Sequence, residues 1–579
     1  MPEMLEAVII GSGFGGSISA CRLGKRWPGK VLLLERGKRY RMGEFPRSPH
    51  DFSRNFWAVA EEKVRRPQRV CDAQKRAKGD LHGMFDVRTY DKMDVVLGAG
   101  LGGGSLIFAN VFMVPPDEVL VGERWPSTCR KPCLDPYYAV AKEVLGSRPV
   151  PLGGDPRRFL RKTRVYQSVA QSMKRDSQLV DINVFFGRDP AAPPLDVGLQ
   201  DQNRYGATQT SCTYCGECIV GCNYHAKNTL DLNYLHVAET VHGVKILTGC
   251  LAEEIIPLTA EGTPDKDADG SFGYRVSFIS MNDQKIEKVH TRRVIVSAGS
   301  LGSTELLLRA KKQHGHLLRM SDRLGSHFSG NGDFLSFLIE GPHTDPNRGP
   351  TITQRIDFNL FQDFAPKHAF ILEDASYPAF LAWFLEGAKP RLSWLAPVVH
   401  FVEHLWENLT HGKSPGTIGF AFADLIKHTI SHDSAVLLCM GIDSSNGVMQ
   451  LNNKQELTLT WPQGENMELY DAILDAGREF GDAGGYPNFI PLPTWDWPWR
   501  NNITVHPLGG CVLADDAAHG VTSANRQNFG EVFGYRGLYV ADGAIVPTSV
   551  GANPTATISA LSEMVAQGIT GIAPDAKLV

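Results

Sequence analysis

Four cysteines, Cys212, Cys215, Cys218 and Cys222, stand in C-x2-C-x2-C-x3-C spacing. That is the spacing of the bacterial ferredoxin run, in which thiolates wrap an iron–sulfur cubane. Asn223 follows where that run carries proline, and no second run exists. The spacing leaves several outcomes open: a 4Fe–4S cluster on four local cysteines, one on three plus a remote cysteine, a 3Fe–4S cluster, zinc, or plain packing. The chain has 11 cysteines, but such clustering reads as metal ligation in a reduced compartment, not as a disulfide frame.

A second pattern is Gly11-Ser12-Gly13-Phe14-Gly15-Gly16. Glycines let the backbone turn tightly and approach a pyrophosphate at a helix N-terminus. Glu35 closes the next apolar run, where an acid can accept hydrogen bonds from ribose hydroxyls. NAD and FAD share this fingerprint. Two further blocks favour FAD, because a single NAD fold needs neither: Leu97 to Ser105, and the strand end Asp542-Gly543. His506, in His506-Pro507-Leu508-Gly509-Gly510-Cys511, is of the side-chain type most often used to move a hydroxyl proton.

These residues need a scaffold. Leu5 to Ile10 and Val31 to Glu35 read as buried parallel strands around a helix from about Ser17 to Arg26, one βαβ unit. Arg293 to Val296 and Leu538 to Val540 read as further strands, with helices near 303–311 and after Pro554. Residues 150–225 read as loops and short helices, and 260–275 as a polar, glycine-rich hairpin or surface loop. Residues 330–500 are aromatic-rich and include Trp495, Trp497 and Trp499. The expected fold is α/β (α+β overall): a Rossmann-type FAD-binding domain with an inserted substrate domain, a β-sheet covered by helices. The expected division is 1–115, 226–315 and 501–579 for FAD binding, 116–225 for a loop-rich insertion with the cysteines, and 316–500 for substrate.

Taken together, the fingerprint with Glu35, the block ending Gly102-Gly103-Gly104-Ser105, the His506 loop, and Leu538 to Gly543 continuing into Gly551-Ala552-Asn553-Pro554 resemble the glucose-methanol-choline (GMC) oxidoreductases, and within them the cholesterol oxidases with non-covalent FAD. The resemblance implies that Gly11, Gly13, Phe14, Gly15, Gly16, Gly103, Gly104, Ser105, Asp542, Gly543, Pro554 and Thr555 border the flavin. It implies a backbone contact from Ala252 to adenine. The family's asparagine after the second glycine block is replaced by Phe108, and Asn110 is the nearest amide. No histidine flanks that block, so FAD is expected to be non-covalent. The resemblance assigns His506 and Asn553 to the alcohol oxygen. It likens Phe370-Ile371-Leu372-Glu373 to the region carrying the glutamate that moves a proton during steroid isomerisation. In an apolar cavity desolvation would raise that carboxyl's pKa; the alternative is a surface carboxylate at a strand end.

Residues 379–411 alternate aromatic and aliphatic side chains with charges and read as amphipathic helices. They are either core helices or a lid over an apolar tunnel that makes peripheral membrane contact. Both suit a hydrophobic alcohol, a sterol first and a long-chain or terpenoid alcohol second. An iron–sulfur cluster would turn the electron acceptor from oxygen to a quinone, a cytochrome or another acceptor protein. A protein that kept the fold for electron transfer or lipid binding without turnover is the reading against which His506 and Asn553 argue. A formal net charge of -4 argues against nucleic acid. No long uncharged apolar stretch is present, and the first apolar run is too short for a signal peptide, so the expected location is the cytoplasm.

Overall fold

The structure, a computed structural model, describes residues 4–57, 82–153, 159–188, 197–382, 402, 406, 431–495 and 500–579. Its first layer grows from short β-branched and leucine runs whose every residue is buried, Ala7–Ile10 and Val31–Glu35. Such runs hide both faces, as parallel strands between helices must. They lie in a five-stranded sheet ordered 538–540, 294–296, 7–10, 31–35, 245–248, with every neighbouring pair parallel. The expected four strands are all present. The fifth, Lys245–Thr248, is an edge strand with no fully buried residue, which is why no apolar run announces it.

The fingerprint helix Phe14–Arg26 crosses this sheet and packs against the C-terminal helix Thr555–Thr570. Glycines let it approach its neighbours closely, Ser562 of that helix among them, 3.1 Å from a Cβ built on Gly15. A Cβ on Gly15 would lie 1.3 Å from the Ala541 carbonyl oxygen, and one on Gly16 would lie 1.9 Å from that of Gly11. Arg22 then bridges to Glu563 through two bonds of 2.8 Å, both side chains buried, and Tyr234 Oη donates to the same carboxylate at 2.7 Å. The helix expected near 303–311 begins earlier, at Gly299, and continues past Leu308 as a π-helical turn, Arg309–Gln313.

A four-stranded sheet (4–5, 285–291, 274–280, 250–257) flanks this layer. The stretch expected to form a hairpin or surface loop at 260–275 is the connection between two of its strands. The second main layer is a six-stranded antiparallel sheet ordered 488–491, 334–339, 435–441, 370–375, 354–358, 177–179. Helix Met467–Gly484 covers it, burying Tyr470, Ile473 and Phe480 against Phe334 and Leu338. The segment 116–225 thus contributes a strand to the substrate sheet. A small sheet, 502–504 beside 93–98 beside 85–90, ties the two layers together.

The amphipathic segment at 379–411 lies mostly outside the described residues; Val402 and Trp406 are described and exposed. Trp497 and Trp499 also lie outside them. Among the described residues, no helix is long and apolar enough to cross a membrane.

Candidate active site

The two glycine blocks meet. A Cβ on Gly103 would come 2.8 Å from the Gly13 Cα, whereas Gly13, Gly104 and Gly299 face open space. Ser12 joins the pieces: its Oγ accepts from Gly102 N at 3.0 Å and donates to Glu35 Oε2 at 2.5 Å. Glu35 is buried and also accepts from Ser12 N (3.0 Å) and Gly37 N (2.8 Å). Oε1, with one of its two lone-pair sites used, can accept from a further donor. Ser105 is spent on the turn, donating to Gly102 O at 2.8 Å and accepting from Leu230 N at 3.2 Å. Phe108 sets its ring edge-on to Phe14, centroids 5.8 Å apart.

Asn110 tests whether a cofactor belongs here. It is fully buried at φ 75°, and neither end of its amide has a partner. Two orphaned polar atoms cost about 1–3 kcal/mol each, so the site calls for a polar group. A glycine cleft at two helix N-termini with a buried unpaired amide fits a dinucleotide. Ala252 sits at the bulge of strand Cys250–Pro257, just beyond Gly249, whose amide donates to Gly37 O at 3.0 Å.

Asp542 accepts from Gly299 N (2.8 Å), Ala544 N (2.8 Å) and the Ser303 hydroxyl. Burial pushes its carboxyl from 3.8 up to about 6. The His506 loop is stitched to this strand end: Gly509 N donates to Gly543 O and Cys511 N to Ala544 O, each at 2.9 Å. Pro554 and Thr555 open the C-terminal helix, so Asn553 stands immediately before its positive end.

His506, Asn553 and Glu373 are brought together with a fourth residue that the sequence reading missed. Asp333, 2% exposed, accepts from His506 Nδ1 at 2.8 Å through Oδ1 and 3.0 Å through Oδ2. It also accepts from Val505 N (2.8 Å) and Thr504 Oγ1 (3.0 Å). With these donors the carboxylate fixes the Nδ1–H tautomer and leaves Nε2 as the acceptor. Two residues earlier, Asn331 latches the Asn553 loop, accepting from Val550 N (2.9 Å) and Gly551 N (3.1 Å) and donating to Ala552 O (2.8 Å). The signal was Gly330-Asn331-Gly332-Asp333, a turn with φ 57° at Asn331 and 62° at Gly332, conformations that Asn and Gly tolerate best.

Asn553 Nδ2 donates to Glu373 Oε2 at 3.3 Å, while Asn553 Oδ1 and Glu373 Oε1 are buried without partners. Glu373 lies in strand Phe370–Ala375 and is fully buried, so the surface-carboxylate alternative does not hold. Burial drives its carboxyl well above the usual range.

The four run cysteines line one cavity with Glu217 and Lys227. All ten described cysteines are free. Burial pushes the Cys215 thiol up to about 11 and raises Cys212 further. Among the described residues, the only three His, Cys, Asp or Glu ligand atoms within 4.8 Å of one another belong to His343, Asp345 and His432. The run's sulfurs are therefore spread wider than the roughly 3.8 Å edges that a zinc tetrahedron with bonds of about 2.3 Å requires.

Comparison with known proteins follows the same lines. The model of the GMC oxidoreductase N-terminal region matches residues 6–327, and that of the C-terminal region matches 494–562. The chain is 27% identical to a cholesterol oxidase of Acinetobacter baumannii, covering 96% of this chain and 93% of that one. It is 28% identical to a cholesterol oxidase of Mycobacterium tuberculosis (97% and 90%) and 23% identical to a long-chain-alcohol oxidase of Arabidopsis thaliana (97% and 67%). Among solved structures, a pyridoxine 4-oxidase from Mesorbium loti superposes with a TM-score of 0.59 at 15% identity, covering 97% of this chain and 98% of the other. A fungal aryl-alcohol oxidase gives 0.59 at 13%, covering 99% of each.

Proposed function

Because the chain belongs to the GMC oxidoreductase family, an oxidoreductase family acting on CH–OH donors, we propose that it uses non-covalent FAD to oxidise a hydrophobic alcohol. The substrate class we assign is a 3β-hydroxysterol such as cholesterol, taken to the ketone with Δ5 to Δ4 isomerisation. The cholesterol oxidases among its relatives support this choice. The observation that carries the reading is the juxtaposition of His506, oriented by Asp333, with Asn553 and Glu373, whose free buried oxygens await a partner.

Bound FAD would supply the hydride acceptor for the carbinol carbon. The chain's residues do the rest. The glycine blocks, Asn110 and Asp542 hold the cofactor. His506 takes the hydroxyl proton at Nε2, and Asp333 stabilises the charge that results. The Asn553 amide orients the oxygen. Glu373, desolvated, keeps a proton taken from the steroid until it is returned to the neighbouring allylic carbon. The four run cysteines, of which Cys212 is buried and Cys215 exposed, are read as the ligands that would hold an iron–sulfur cluster, 4Fe–4S or 3Fe–4S, which would supply a route for electrons to a quinone or an acceptor protein.

The second reading is a bulky or long-chain alcohol, favoured by the long-chain-alcohol oxidase relative. Anaerobic mixing with 3β-hydroxysteroids and with fatty alcohols separates the two. Bleaching of the flavin band by the steroids is expected, and Glu373→Gln should still bleach it while releasing the unisomerised ketone. Bleaching by fatty alcohols alone would replace the first reading with the second.

A further inference from the structure

We infer that Lys227 is the counter-charge of the cysteine site and the tie that fixes it against the flavin-side turn. The inference rests on reading the cysteines as iron–sulfur ligands.

Lys227 is 1% exposed. Its ammonium donates to three carbonyls: Leu106 O (3.0 Å), Phe108 O (3.0 Å) and Cys218 O (2.8 Å). These satisfy its three N–H groups, yet carbonyl dipoles do not neutralise a charge. A buried ammonium without a counter-ion costs several kcal/mol. The protein shows the usual remedy elsewhere. Lys162, equally buried, also donates to three carbonyls, and it has the Asp374 carboxylate 3.9 Å away.

Among the described residues Lys227 forms no ion pair with a carboxylate. Glu217, the acid on the cavity wall, accepts instead from Ala379 N at 3.2 Å. What Lys227 does face is the cavity of the four cysteines. A cubane on four thiolates carries about two negative charges, which supplies the missing counter-ion. Thiols alone do not.

The same three bonds join two pieces of chain with different tasks. Leu106 and Phe108 close the second glycine block; Cys218 belongs to the run. The Lys227 Nζ lies 4.8 Å from the Phe108 ring centroid, and that ring meets Phe14 of the fingerprint. A packed path thus runs from Phe14 through Phe108 and Lys227 to Cys218. Lys227 is a positioning residue that holds the cluster loop in register with the cofactor cleft.

The test uses the FAD-loaded protein, purified anaerobically as wild type, Lys227→Gln, Lys227→Met and Lys227→Arg, and supplied with ferrous iron and sulfide. Iron, sulfide and FAD per chain are measured, then the rate at which a chelator bleaches the cluster. Wild type is expected to load. The Gln and Met variants should keep FAD and lose the cluster about 10–100-fold faster, the usual effect of removing an outer-shell partner; Arg should restore most of the retention. Loss at the wild-type rate in the neutral variants overturns the role of Lys227 alone. Loss of FAD in both neutral variants makes Lys227 a support of the flavin turn and also overturns it. A wild-type protein that takes up no iron or sulfide removes the cluster reading itself.

Discussion

Replacing Asp333 by asparagine changes one atom and should disable the proposed base. Asp333 Oδ2 accepts from Val505 N at 2.8 Å and Thr504 Oγ1 at 3.0 Å. An asparagine would keep its remaining oxygen on those two donors. Its NH2 would then occupy the Oδ1 place, 2.8 Å from His506 Nδ1. Two donors cannot face each other, so His506 would surrender the Nδ1 proton, accept there, and carry its hydrogen on Nε2. That is the nitrogen that must take the alcohol proton. Losing general-base action costs about 10²–10⁴-fold in rate, which is about 2.7–5.5 kcal/mol of barrier. The assay is anaerobic stopped-flow reduction of bound FAD at saturating alcohol, with FAD occupancy and melting temperature as controls. A rate within about threefold of wild type, at full occupancy, would refute the assignment of Asp333 and with it the tautomer argument.

Two other outcomes follow from groups bordering the cofactor. Asn110→Gly keeps the backbone at φ 75° accessible and deletes the orphaned amide; FAD should bind about tenfold more weakly, or about 1.4 kcal/mol, by fluorescence titration, while unchanged affinity would mean that Asn110 faces nothing polar. For Asp542 the folded pKa is raised from 3.8 to about 6. A raised folded pKa means that the stabilising contribution is complete below the unfolded value and fades as pH climbs through the folded one. Wild type should therefore lose about 2 kcal/mol relative to Asp542→Asn between pH 4 and 6, out of about 3 kcal/mol over the whole titration; urea midpoints that keep a constant separation across that range would contradict this.

Much of the nucleotide layer was legible in the sequence because buried parallel strands are continuous apolar runs and their glycines fall where backbone meets backbone. Gly15 against the Ala541 carbonyl is an instance. Lys245–Thr248 escaped because an edge strand buries too little to carry that pattern. The proposed chemical residues were legible only as isolated letters. His506 and Asn553 stand in recognisable loops, but their shared support, Gly330 to Asp333, is a polar turn without periodicity. Its function lies in long-range bonds from Asn331 to residues 550–552 and from Asp333 to residues 504–506. Glu373 was readable as an acid after an apolar run, and its full burial follows from pairing with strands on both sides. Lys227 gave no signal at all, since three carbonyl acceptors leave no mark on side-chain types.

The interlocking of the fingerprint helix with the far end of the chain bears on the order of synthesis. The strand Ala7–Ile10 is synthesised long before Leu538–Val540, which flanks its sheet through Val294–Val296. The helix behind it closes on the Ala541 carbonyl and Glu563. The pyrophosphate cradle therefore cannot be completed while its second half is still untranslated. The nascent chain must hold an apolar strand and a glycine-rich loop open through most of its elongation. Flavin uptake then waits for residues 538–563, and a chain interrupted before residue 540 should lack bound flavin.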